Sequence, residues 1–188
     1  MLSLLALWLV AFQAQPQKPG IPVDQEPQHR IVLKNDFVRV VDAAFPPGYV
    51  TLHHAHDLDN VTVTISTGTQ ARPGRASFAK GGYSHTVTNS NAALMRYINV
   101  ELLKSDHPGS AAAQLPNHAL ETENDRTRVY RVKLAPGEEL KAHSHPAGWL
   151  EVIVAGGPSG TPTWHGGGTS GALAAGTEAL EIVEVEPK

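Results

Sequence analysis

From Arg30 onward the apolar residues fall in short runs and do not follow the three-to-four spacing of a helix. Ile31-Val32-Leu33, Phe37-Val38-Arg39-Val40-Val41, Val61-Thr62-Val63-Thr64-Ile65 and Tyr97-Ile98-Asn99-Val100-Glu101-Leu102 are rich in β-branched and aromatic residues, partly alternating with polar ones. A period of two with that composition predicts strands that bury a face. Between them stand Asn35-Asp36, Pro46-Pro47-Gly48, Pro73-Gly74, Gly81-Gly82 and Asn89-Ser90-Asn91, the residue types of tight turns. Gly48 and Gly137 follow prolines and are expected at the left-handed position of type II turns. Residues 110–114 offer one short helical turn. Short strands separated by Gly/Pro turns predict an all-β sandwich or barrel.

The strand pattern occurs twice. Residues 35–68 align with residues 124–157 without a gap, pairing Asn35 with Asn124, Arg39 with Arg128, Gly48 with Gly137, His54 with His143 and His56 with His145. After a slightly shorter loop the match resumes with Gly74 on Gly160, Phe78 on Trp164 and Ser84 on Ser170. Both copies end on an acidic apolar strand, INVEL in the first and EIVEVE in the second. The expected organisation is therefore two copies of one β unit, residues 30–115 and 116–188. Residues 15–29, rich in proline, read as an extended linker. The apolar run within residues 1–14 is too short to span a bilayer and reads as the hydrophobic part of an export signal. An exported, periplasmic or secreted protein follows, with no membrane attachment once the signal is removed; without such a signal it would be cytoplasmic.

The bulk numbers narrow the chemistry. The chain has 188 residues, 18% of them charged, with a net charge of −3 and no basic run, which argues against a nucleic-acid partner. Its lack of cysteine removes thiolate ligands, thiol nucleophiles and disulfides. Histidine is left as the transition-metal ligand. His54 and His56 sit two apart on an extended segment and so point to one side, while His53 points away. His85 follows the Gly81-Gly82 turn into another strand and supplies a third imidazole. Three neutral imidazoles suit a divalent transition metal (Fe, Mn, Ni, Cu or Zn) and leave open positions.

These residues resemble the cupin superfamily, and the duplication resembles its two-domain members, the bicupins. Gly48, His54 and His56, with Gly68, match the first cupin motif; Gly74, Gly82, His85 and Asn89 match the second, with Lys80 at the usual proline. The resemblance implies a double-stranded β-helix (jelly roll) in two tandem barrels, with a metal held inside by motif side chains. Where the first motif usually carries a ligating Glu, this chain has Asn60 or Val61, with Asp59 one residue early. Asp59 and Asn60 are thus weaker ligand candidates beside His54, His56 and His85. Some cupin dioxygenases similarly use histidines without a ligating Glu. The second copy keeps His143 and His145 but has Gly171 at the place of His85, so it is expected to be degenerate, with Glu151 and His165 as distant substitutes. Asn89 is expected to bond its own turn, Tyr83 to pack beside the site, and Trp149 and Trp164 to fill the second core.

Three functions follow as expectations. One is a metal-dependent, dioxygenase-like enzyme acting on a small organic molecule; its catalytic residues beyond the metal ligands are not identifiable from sequence. Another is an exported protein that binds a small molecule without turning it over. A homodimer joined along strand edges is compatible with both.

Overall fold

The computed structural model describes residues 19–67, 73–104, 115–145, 148–168 and 171–188. The expected export signal in residues 1–14, the short helical turn expected at 110–114 and Gly68 lie outside the described residues. The first half holds β1 (Ile21–Pro22), β2 (His29–Lys34), β3 (Val38–Phe45), β4 (His54–His56), β5 (Asn60–Thr67), β6 (Ala76–Ala79), β7 (Tyr83–His85) and β8 (Met95–Leu102). The second holds β9 (His118–Glu123), β10 (Thr127–Leu134), β11 (Glu139–His143), β12 (Gly148–Ala155), β13 (Pro162–Gly166), β14 (Gly171–Ala174) and β15 (Leu180–Pro187). Among the described residues the only helix is a single 3-10 turn at Val23–Gln25, and none is long and apolar enough to cross a membrane. The expected strands at 31–33, 37–41, 61–65 and 97–102 are all present, within β2, β3, β5 and β8.

The strands form an all-β jelly roll. One five-stranded sheet runs β2-β3-β8-β5-β6 and the other β13-β12-β15-β10-β9, equivalent strands occupying equivalent places. Facing them are the smaller sheets β1-β4-β7 and β11-β14. The two large sheets pack on each other. Val38, Val40, Val61, Val63, Ile98 and Val100 of the first meet Val129, Leu150, Val152, Val183 and Val185 of the second in one apolar layer. Strand alternation then turns Asn60, Thr62, Tyr97, Asn99 and Glu101 away from that layer. The central strands of each large sheet are thus covered on both faces, so their alternating polar residues are interior, while the edge strands β2 and β9 stay largely exposed.

Reciprocal polar contacts lock the halves. Arg96 donates to the Ser159 carbonyl at 3.0 Å and the Gly160 carbonyl at 3.2 Å while its Nε holds Asp42 at 2.8 Å. Arg131 of the second half donates to the Gly74 carbonyl, and Gly74 is the repeat counterpart of Gly160. Trp164, expected in the second core, instead stacks on Phe37 of the first half with ring centroids 5.6 Å apart.

The segment read as a linker is partly structural. Ile21 and Pro22 pair in parallel with His54 and Ala55, and Pro22 is tolerated because β1 is an edge strand. Glu26, buried, accepts the Tyr49 hydroxyl and the Leu52 amide, both at 2.8 Å, and so ties this segment to the approach to β4. Gly48 and Gly137 have φ of 76° and 75°, as their turns require.

Candidate metal centre

His54 and His56 lie on β4, whose partner β7 brings His85 directly opposite His54. Their ring nitrogens lie within 4.8 Å of one another. Nδ1 of His54 donates to the Leu52 carbonyl at 2.8 Å, so the proton of a neutral ring is committed there and Nε2 keeps its lone pair. That lone pair faces Nε2 of His85 at 3.0 Å. Two nitrogens each about 2.1 Å from one ion and at right angles would be separated by about 3.0 Å. Burial and then the neighbouring His85 and His54 push His56 down to about 3, and burial followed by His54 pushes His85 down to about 4. Both are neutral near pH 7, the form that ligates metal. The three imidazoles fit a divalent transition metal.

A fourth imidazole, outside that group of three, packs beside it from β2. The His29 ring centroid lies 4.7 Å from that of His54, and burial, then His54, lowers His29 to about 4. Its Nδ1 is buried without a hydrogen-bond partner, as is Nδ1 of His56. Beside the cluster opens a cavity of about 220 Å³ walled by His29, Phe45, His56, His85, Val87 and Tyr97. Tyr83 stacks flat on His56 at 4.8 Å while its hydroxyl meets Asn60.

The weaker candidates have other partners. Asp59 accepts the Gly81 amide at 2.9 Å and faces Arg126 at 3.2 Å, outside the cluster. Asn60 donates to the Leu58 carbonyl and accepts from Asn99 at 2.9 Å. His53 turns to Ser84 and Thr86, as alternation requires. Asn89 closes its own turn by accepting the Asn91 amide, and it also donates to the Phe45 and Ala93 carbonyls.

The second half is not the eroded copy expected. His143 and His145 join His118 and Glu184, with potential ligand atoms within 4.8 Å of one another. Glu151 is outside this group: it lies 3.3 Å from His165, and burial, then Glu184, raises its carboxyl to about 7. Trp149 does fill this interior, stacked on His165 at 4.5 Å. The missed residues were findable in part. His118 is the repeat counterpart of His29, just outside the aligned block. Glu184 pairs with Tyr130 as Asn99 pairs with Val41, which makes it the counterpart of Asn99.

An all-β jelly roll with interior histidine groups arranged to hold a metal is the class that fold and site define. No family model and no curated protein matches the sequence. Solved structures do match the fold. Salicylate 1,2-dioxygenase from Pseudaminobacter salicylatoxidans aligns with a TM-score of 0.54 and 11% identity, covering 85% of this chain and 76% of that one. A cupin 2 conserved barrel domain protein from Leptotrichia buccalis aligns at 0.50 and 12%, covering 85% and 88%. AerE from Microcystis aeruginosa aligns at 0.50 and 12%, covering 87% and 98%. These likenesses show the cupin fold.

Proposed function

We propose that this protein is a bicupin whose first barrel is a metal-dependent, dioxygenase-like enzyme for a small, largely apolar organic substrate. The observation that carries the reading is a three-histidine cluster two of whose rings, His56 and His85, line a cavity. Structural metal sites are closed by four protein ligands, whereas reactive ones keep positions free. The cavity, at about 220 Å³, exceeds the roughly 150 Å³ that accepts a benzene ring, so a single substituted ring fits. Likeness to a fold shared with salicylate 1,2-dioxygenase agrees with this substrate size.

When bound, the metal would supply Lewis-acid and redox activation of oxygen next to the substrate. The chain supplies position. The Leu52 carbonyl fixes the His54 ring, Tyr83 packs the face of His56, and β-pairing sets His85 against His54. Phe45, Val87 and Tyr97 exclude water and hold an apolar ring. His29, held neutral by burial, adds a polar edge to the cavity wall.

The test is elemental analysis of protein purified without chelator beside the His54→Ala variant, followed by oxygen uptake over a panel of hydroxylated and carboxylated single-ring aromatics. Expected is a transition metal reduced in the variant and substrate-dependent uptake in the parent. Absence of metal in the parent after reconstitution would remove the proposal. Metal and ligand binding without uptake would instead establish the small-molecule-binding reading.

A further inference from the structure

We propose that the second half carries its own metal site of a different kind, a closed structural centre for a zinc-type divalent cation held by His118, His143, His145 and Glu184. Hydrogen-bond accounting makes the case. Nδ1 of His118 donates to the Pro116 carbonyl at 2.7 Å, and Nδ1 of His143 to the Lys141 carbonyl at 3.2 Å. A neutral imidazole has one proton, so each Nε2 then carries a lone pair. Yet those Nε2 atoms face the Glu184 carboxylate at 2.9 and 3.2 Å. His145 has an acceptor on both sides, Glu186 at 3.0 Å from Nδ1 and Glu184 at 3.1 Å from Nε2.

Each of three rings therefore needs one proton beyond its neutral complement. Without a metal, three neutral rings would leave three of these nitrogen–oxygen contacts as lone pair facing lone pair. A single divalent cation takes the place of those three protons and binds the three lone pairs and the carboxylate instead. The orienting bond from Nδ1 to the carbonyl two residues back recurs at His54, His118 and His143. Such a bond fixes the tautomer of a ligating histidine.

The ligand side chains are also buried, although a pocket of about 440 Å³ opens beside His118 and His143. The four side chains are 0–6% exposed. In the first half the space beside the histidines is cavity, walled in part by Thr62 and Asn99. In the second the repeat places Trp149 where the first half has Asn60 and Glu151 where it has Thr62. Trp149 lies 5.0 Å from His143 and 4.7 Å from His145, and Tyr130 lies 5.3 Å from His145. Four buried protein ligands, which leave no position free, make a structural site rather than a reactive one. It joins the first strand of this half, the end of β11 and the last strand β15, so occupancy stabilises the fold.

The test uses full-length protein carrying His54→Ala and His85→Ala, which removes the first cluster and makes the readout independent of the function proposed above. This double variant is expected to retain one zinc per chain by elemental analysis, against two metal ions in the parent. Its melting midpoint should rise by about 5–10 °C at a hundredfold zinc excess over the dissociation constant. Adding Glu184→Gln should abolish both the retained ion and the zinc-induced shift. If that triple variant does not fold, His118→Asn on the same background serves in its place. No zinc in the double variant, or an unchanged midpoint with zinc bound, overturns the proposal.

Discussion

Replacing Arg128 by Met probes the polar interior of the second half. The guanidinium is 1% exposed and makes two ion pairs, to Glu186 at 3.2 Å and to Glu123 at 2.9 Å. The carboxylate of Glu123 is 39% exposed and that of Glu186 only 2%, so the two pairs are unequal. An exposed pair such as that to Glu123 is screened by water and contributes little. Stranding a buried carboxylate by removing its partner costs about 3–5 kcal/mol. Glu186 would keep His145 as a partner, but it would lose its guanidinium. For a chain of this size each kcal/mol shifts the midpoint by about 2–4 °C, so Arg128→Met should melt about 6–20 °C lower. Urea unfolding at pH 7, followed by circular dichroism and tryptophan fluorescence, gives the free energy directly. Adding Glu186→Gln removes the stranded charge and should restore at least half the loss. A loss under about 1 kcal/mol would put the pair among exposed ones. A double variant whose loss equals the sum of the singles would show that no buried charge was responsible.

The remaining predictions concern the shared core, acid stability and backbone geometry. Leu150→Ala in the layer between the large sheets should cost about 2–5 kcal/mol and lower one cooperative calorimetric transition; two transitions with only one displaced would show that the halves do not share a core. In chelator-treated protein, His29, His56 and His85 take up protons only near pH 4, 3 and 4 when folded, against about 6.5 when unfolded. At these three rings the unfolded chain therefore binds more protons below about pH 6.5, so their contribution is full above that pH and falls toward pH 4, by up to about 1.4 kcal/mol per ring per pH unit. His143 and His145, raised against burial by hydrogen bonds to Glu184, contribute with the opposite sign, above about pH 6.5. A flat urea midpoint between pH 7 and 4.5 would contradict those depressed values. Gly148→Ala should cost more than Gly48→Ala, as read by paired melts. Both glycines have positive φ, but a Cβ at 148 falls 2.3 Å from the His165 carbonyl while one at 48 meets nothing within 4 Å. The left-handed strain alone is about 1–2 kcal/mol, and equal losses would mean that the contact at 148 relaxes freely.

Much of this protein is written in its local pattern. Alternation placed β3, β5 and β8, proline–glycine pairs placed the turns, and the two-residue spacing aimed His54 and His56 at one point because a strand repeats every two residues. Internal repetition pointed to two copies of one β unit, and the two large sheets carry equivalent strands in equivalent places. Tertiary structure decided what lay across from each face. Alternation says that Ile98, Val100 and Asn99 take opposite sides, but not that one side meets another sheet and the other lines a cavity. His118 and Glu184 sit on the first and last strands of their half, and only closure of the jelly roll brings them to His143 and His145. Spacing along a chain reports neighbours on one strand; ligands contributed by distant strands are set by the register in which the sheets close.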